Sequence, residues 1–173
     1  AMQVELLARA GTWRRFHSID FARVQRTVFV CMGNICRSPY AEARLRGLGH
    51  ATASAGIDAG DAKPAHPPAL DTAARRGIDL SAHRSTPLNR LAARPGDLLV
   101  GFEVPHALAL ERFARGHAGL QVTLLGCWGQ PRGRIHIEDP YGRSPAYFDT
   151  CFGLIDVGVS GLAARLARVP DTR

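Results

Sequence analysis

The stretch RTVFVCMGNICRSPYAEARL, residues 26–45, passes from an apolar run through a short polar turn into a helical pattern. TVFVC at 27–31 is continuous and apolar, as a strand covered on both faces must be. SPYAEARLRGL at 38–48 places Ser38 as a candidate N-cap, Pro39 at the first helical position and Glu42 in the first turn. Between them lies CMGNICR, with two thiols, a glycine, an asparagine and an arginine.

The same alternation continues outward. Strands are expected in ATASAG at 51–56, DLLVGF at 97–102 and LQVTLLG at 120–126. Helices are expected in PPALDTAARRGIDLS at 67–81, stopped by Gly77, in VPHALALERFAR at 104–115, and in a long closing segment at 144–169. Strands alternating with helices predict right-handed crossovers. The fold class is therefore α/β, a four-stranded parallel sheet flanked by helices on both faces in three layers. Residues 1–24 read as an N-terminal extension of helical spacing, and residues 25–173 as one domain.

Ligands bind at the carboxyl ends of the strands in such sheets, so the turn after Cys31 is the expected site. Amides at a helix N-terminus have no helical partners and carry the positive end of the helix dipole. Gly33 permits close backbone approach, and asparagine, here Asn34, tolerates the left-handed region. A loop of this kind turns the amides of Met32, Gly33, Asn34, Ile35, Cys36 and Arg37 inward as a nest for an anion. Arg37 adds a planar fork for two phosphate oxygens. Such surroundings favour the thiolate of Cys31, a nucleophile suited to in-line attack on phosphorus. Ser38 is placed to donate its hydroxyl to that sulfur.

Composition narrows the alternatives. The chain has 173 residues, 46% hydrophobic and 21% charged, which suits one soluble domain with a full core. No apolar run is long enough to span a bilayer, and the N-terminal stretch lacks the layout of a secretory signal. Four cysteines do not make a disulfide scaffold, so a cytoplasmic location is expected. The net charge is +7 and Lys63 is the one lysine. The arginines are scattered, without a basic run interleaved with aromatics, so no nucleic-acid partner is expected. Cys127 and Cys151 read as buried thiols, and no histidine spacing points to a metal.

VFVCMGNICRSPYAEA at 28–43 closely resembles the signature of low-molecular-weight protein tyrosine phosphatases. The resemblance continues through SAG at 54–56, RRGIDLSAHR at 75–84 and EDPYG at 138–142. It implies that Cys31 is the nucleophile, Arg37 the phosphoryl-binding arginine, and Asp139 the general acid. It also implies that Asn34, Ser38 and His83 support the loop. Cys36 would form a reversible disulfide with Cys31 that shields it from overoxidation. No metal or cofactor is implied. Phosphotyrosine proteins are the implied partners, a bacterial tyrosine kinase of polysaccharide export among them, for a monomer or weak dimer. An aspartate serving as acid makes physical sense, because a leaving phenolate needs a proton, and Pro140 stiffens the loop that presents it.

Several positions depart from that family. The loop IDAGDAKPAHPP at 57–68 carries no aromatic where many members have one. Tyr141 is followed by Gly142 rather than by a second aromatic, which leaves Tyr141 and, by expectation, Trp128 as walls for a substrate ring. Phe102 and Glu103 stand where Met and an acidic residue are common. Three other functions share the fold or loop. Arginine phosphatases typically have threonine where this chain has Ile35. Arsenate reductases place relay cysteines after the third strand, where this chain has VGFEVPHALAL. A non-catalytic phosphate-binding module would lack one of Cys31, Arg37 and Asp139.

Overall fold

The computed structural model describes residues 14–129 and 135–168. Its centre is a sheet of β1 (Arg26–Cys31), β2 (Thr52–Gly56), β3 (Asp97–Gly101) and β4 (Gln121–Leu124), all parallel and ordered β2-β1-β3-β4. The helices are α1 (Arg37–Gly47), α2 (Pro67–Arg75), α3 (Val104–Ala114) and α4 (Pro145–Leu166). The chain leaves β1 toward one neighbour, β2, and later returns to its other side as β3. The switch point of the sheet therefore lies at the carboxyl end of β1, beside Cys31.

The period-two alternation of each strand sorts the core into two layers. Phe29, Leu98 and Val100 pack with Tyr40, Leu45, Phe152 and Ile155, under α1 and α4. Val28, Val30 and Leu99 face the other way and pack with Leu110 of α3. The amino ends of β1 and β3 are tied by Arg26, whose Nε and Nη2 donate to the two carboxylate oxygens of buried Asp97 at 2.8 and 2.6 Å.

α4 lies close to the turn that follows β4. Gly161 passes directly under the carbonyl of Trp128, where any Cβ would collide with backbone, so the crossing requires glycine. Among the described residues no helix is long and apolar enough to cross a membrane.

The expected helix of residues 1–24 is corrected where it can be seen. Residues 14–23 form two short 3-10 turns, Arg14–His17 and Phe21–Arg23, and the remainder of that expectation lies outside the described residues. Asp20 caps the second turn by accepting from the Ala22 amide, and side-chain bonds to β4 take over the anchoring of this segment. Phe16 is buried beside Val104, Ala107 and Leu124, its carbonyl accepts from Thr123 Oγ1 at 2.6 Å, and Gln121 bonds the backbone of Asp20.

Candidate active site

Cys31 closes β1 and is 3% exposed, with its Sγ 3.0 Å from Ser38 Oγ. The loop that follows is held from outside by its carbonyls. The Cys31 oxygen accepts from Ile57 N, Met32 O from Asp58 N, and Ile35 O from His66 N, at 2.8–3.0 Å. Asn34 O lies 2.7 Å from His83 Nε2. In a planar trans peptide the N–H points opposite the preceding C=O. Four carbonyls drawn outward therefore turn the amides of Met32, Gly33, Ile35 and Cys36 inward.

Asn34 is the residue that fixes this curl. Its φ is +53°, the left-handed region, and its side chain is fully buried. Oδ1 accepts from Thr86 N at 2.8 Å, while Nδ2 donates to Ser38 Oγ at 2.8 Å and to Ser54 Oγ at 2.9 Å. Ser54 in turn donates to Glu42 Oε2 at 2.5 Å. A chain of polar groups thus runs from Glu42 to the sulfur of Cys31. Gly56 gives the loop room, since a Cβ there would lie 2.7 Å from Met32 O and 2.8 Å from Asn34 N. Burial pushes the pKa of His83 down, which keeps a neutral imidazole against the loop.

Ser38 is not the N-cap expected from the sequence. α1 begins at Arg37 with Cys36 in the cap position, and the Ser38 hydroxyl is taken by Asn34 and Cys31 inside the first turn. Cys36 is buried, and burial followed by the charge of Cys31 raises its pKa. Cys31 and Cys36 are both free thiols.

Arg37 is 1% exposed, yet carries three charge-assisted or polar bonds. Nη1 donates to Glu103 Oε1 at 2.7 Å and to Ile137 O at 2.9 Å, and Nη2 donates to Asp139 Oδ2 at 2.6 Å. Burial opposes its charge, but Cys31, Asp139 and Glu103 outweigh burial and hold the pKa above the ordinary arginine value. Asp139 is 40% exposed on its side chain, and its Oδ1 accepts from Tyr141 N at 3.1 Å. Glu103 opens α3, and its Oε2 lies 3.9 Å from Nε2 of the buried His106. The Nδ1 atom of His106 accepts from Phe102 N at 3.4 Å.

The structure thus brings Cys31, residues 32–36, Arg37, Ser38, His83 and Asp139 into one constellation at the carboxyl end of β1. This arrangement joins a thiol, a loop of inward-turned amides, a guanidinium fork and a carboxyl group. The family profile of the low molecular weight phosphotyrosine protein phosphatases matches residues 26–171. This chain belongs to that family.

Among relatives of this phosphatase, Etp of Escherichia coli K12, a low molecular weight protein-tyrosine-phosphatase, is 34% identical over 141 residues, spanning 80% of this chain and 93% of Etp. The crystal structure of the tyrosine phosphatase AmsI of Erwinia amylovora superposes with a TM-score of 0.74 at 29% identity, covering 84% of this chain and 95% of AmsI. An arginine phosphatase, YwlE of Geobacillus stearothermophilus, superposes at 0.70 with 25% identity, over 83% of this chain and 93% of its own.

Within this phosphatase, Trp128 does not stand at the site, which corrects the expectation of a substrate wall there. Its Nε1 donates to Thr123 Oγ1 at 3.0 Å, and its ring packs edge-on against Phe21 and His17. Its carbonyl rests on Gly161, about 20 Å along α4 from Phe148 beside the site. Tyr141 does stand at the rim, 60% exposed. Its ring meets that of His66 at 4.8 Å between centroids and 38° between planes. The loop at 57–68, read as lacking an aromatic, therefore supplies an imidazole.

Sequence reasoning assigned no role to Glu103 or His66. Glu103 had one signal, its place just past the carboxyl end of β3, where sites in such sheets form. Cys151, read as an ordinary core thiol, lies on α4 behind the Asp139 loop with its Sγ 3.6 Å from Glu138 O, and burial pushes its pKa up to about 12.

Proposed function

We propose that this phosphatase hydrolyses phosphotyrosine on proteins through a cysteinyl-phosphate intermediate. The observations that support the reading are the bridge from Arg37 to Asp139 and the contact of Cys31 with Ser38, which suit a phosphate grip, a proton donor and a nucleophile. The phosphoryl group enters the nest of amides and takes the Arg37 fork, which releases the Asp139 carboxyl group. The Cys31 thiolate attacks phosphorus and forms the S–P bond as the P–O bond to the phenol breaks. Once released from Arg37, the Asp139 carboxylate takes up a proton from solvent and gives it to the departing phenolate oxygen. In the second step Asp139 takes a proton from water, whose oxygen attacks phosphorus. The S–P bond breaks, inorganic phosphate leaves, and the Ser38 hydroxyl donates to the thiolate as it forms.

Tyrosine is favoured over arginine by the exposed Tyr141 ring beside Asp139, a flat apolar face suited to an aryl group. Ile35 places a hydrocarbon side chain in the loop where arginine phosphatases typically have threonine. A cytoplasmic enzyme acting as a monomer or weak dimer on a bacterial tyrosine kinase fits the same reading, by likeness to relatives such as Etp.

Turnover of phosphotyrosine, phosphoserine and phosphoarginine peptides, measured side by side, tests the substrate. Preference for phosphoarginine would overturn it. Cys31→Ser tests the chemistry, with turnover abolished and vanadate binding retained; residual hydrolysis above a few per cent would end the mechanism.

A further inference from the structure

A line of rings runs from the core to the rim of the site. Tyr40 stacks on Phe152 at 4.0 Å, Phe152 meets Phe148 at 6.1 Å, Phe148 meets His66 at 6.1 Å, and His66 meets Tyr141 at 4.8 Å. The last three separations lie within the range in which aromatic pairs attract. Phe148 and Phe152 are fully buried, so the inner end of the line is rigid. Tyr141, at the outer end, follows Asp139 by two positions and donates its amide to that carboxylate.

His66 is set up for the middle of this line. It precedes Pro67, which confines it to extended backbone, and its φ of −61° and ψ of 134° comply. Its amide is fixed to Ile35 O of the phosphate loop at 2.8 Å. It occupies the N-cap position of α2 but makes no side-chain cap bond, so the imidazole is not committed to the helix. The ring is instead bracketed by Phe148 and Tyr141.

We propose that His66 is a positioning residue, which holds the Tyr141 ring as the wall against which the aryl group of the substrate rests. Its backbone is bonded to the loop at 32–36 and its ring packs on Tyr141, so it ties the wall to the phosphate nest. This rests on the tyrosine-phosphatase reading. It makes the imidazole the substitute, in this chain, for an aromatic side chain in the loop at 57–68.

The test compares wild type, His66→Ala, His66→Phe, Tyr141→Ala and the double variant His66→Ala/Tyr141→Ala. The probes are a phosphotyrosine peptide, acetyl phosphate, which has no ring, and inorganic phosphate as inhibitor. His66→Ala is expected to raise KM for the peptide about fivefold, the loss of one ring contact, with kcat held. Acetyl phosphate turnover and inhibition by phosphate stay unchanged, because alanine keeps the amide bond to Ile35. His66→Phe restores KM, and the double variant is no worse than Tyr141→Ala alone. An unchanged KM in His66→Ala, additive losses in the double variant, or weakened phosphate inhibition would each overturn the role. A wild-type enzyme that cleaves acetyl phosphate and spares the phosphotyrosine peptide would overturn the tyrosine reading, and this role with it.

Discussion

Nη2 of Arg37 and Oδ2 of Asp139 lie 2.6 Å apart, across 102 positions of sequence. The group proposed to grip phosphate and the group proposed to protonate the leaving oxygen therefore hold each other in the structure. In the proposed mechanism, substrate takes the place of that carboxylate on the guanidinium.

Asp139→Ala removes the proposed proton donor and leaves Arg37 its bonds to Glu103 and Ile137. kcat is expected to fall by about 10²- to 10⁴-fold for phenyl phosphate and far less for an aryl phosphate whose phenol is acidic. The check is the slope of log kcat against leaving-group pKa, which steepens in the variant. An equal loss across the series would remove Asp139 from the acid role.

Asn34→Ala deletes three side-chain hydrogen bonds at once and places alanine at a φ of +53°. The Thr86 amide loses its acceptor, and left-handed backbone adds its own cost. The expected destabilisation is about 3 kcal/mol, read from the urea midpoint at constant m. Turnover falls further than stability accounts for, because the amide nest opens.

His106 gives the fold a dependence on pH. Burial, then the neighbouring Arg37 charge, pulls its pKa down from 6.5 to about 4, although Glu103 pulls the other way. Between those values the unfolded chain binds a proton that the folded chain does not. Stability is then fully present above pH 6.5 and is lost as pH falls toward 4. At pH 5 the loss through His106 is about 2 kcal/mol. Burial shifts His83 and His136 in the same direction. Urea unfolding at pH 7.5 and pH 5 measures the difference, and His106→Gln shrinks it. Identical differences in the two proteins would show that His106 titrates normally.

Gly161 and Gly153 share one helix and predict opposite outcomes. Alanine at Gly161 collides with the Trp128 carbonyl, whereas at Gly153 the nearest atom is Arg76 Nη2 at 3.7 Å. Gly161→Ala is expected to destabilise by about 1–3 kcal/mol, despite the better helix propensity of alanine. Gly153→Ala is expected to stabilise by about 0.5–1 kcal/mol. Urea midpoints of the two variants decide it.

By itself, the sequence determined the local conformational preferences of near neighbours along the chain. The apolar run before Cys31, the glycine and asparagine after it, and the helix beginning beside Pro39 are local requirements of a strand, a left-handed turn and a helix start. Together with the alternation of later segments they imply a parallel sheet and place the nucleophile loop at its switch point. Arg37 falls within that loop, and Asp139 was legible through the Asp-Pro pattern that the family shares. What only the tertiary structure decided is which groups meet once the loop closes and the layers pack. Ser38 looked like a cap because its position favours one, but Asn34 and Cys31 claim its hydroxyl once the loop closes. Trp128 looked free to line the site, but the turn after β4 carries it down α4 to Phe21 and His17. Glu103 meets Arg37 only when β3 aligns beside β1, and His66 meets Tyr141 only when α2 and the Asp139 loop pack around Phe148. Short-range periodicity and dihedral preference carry no information about such meetings, which are set by how the layers stack.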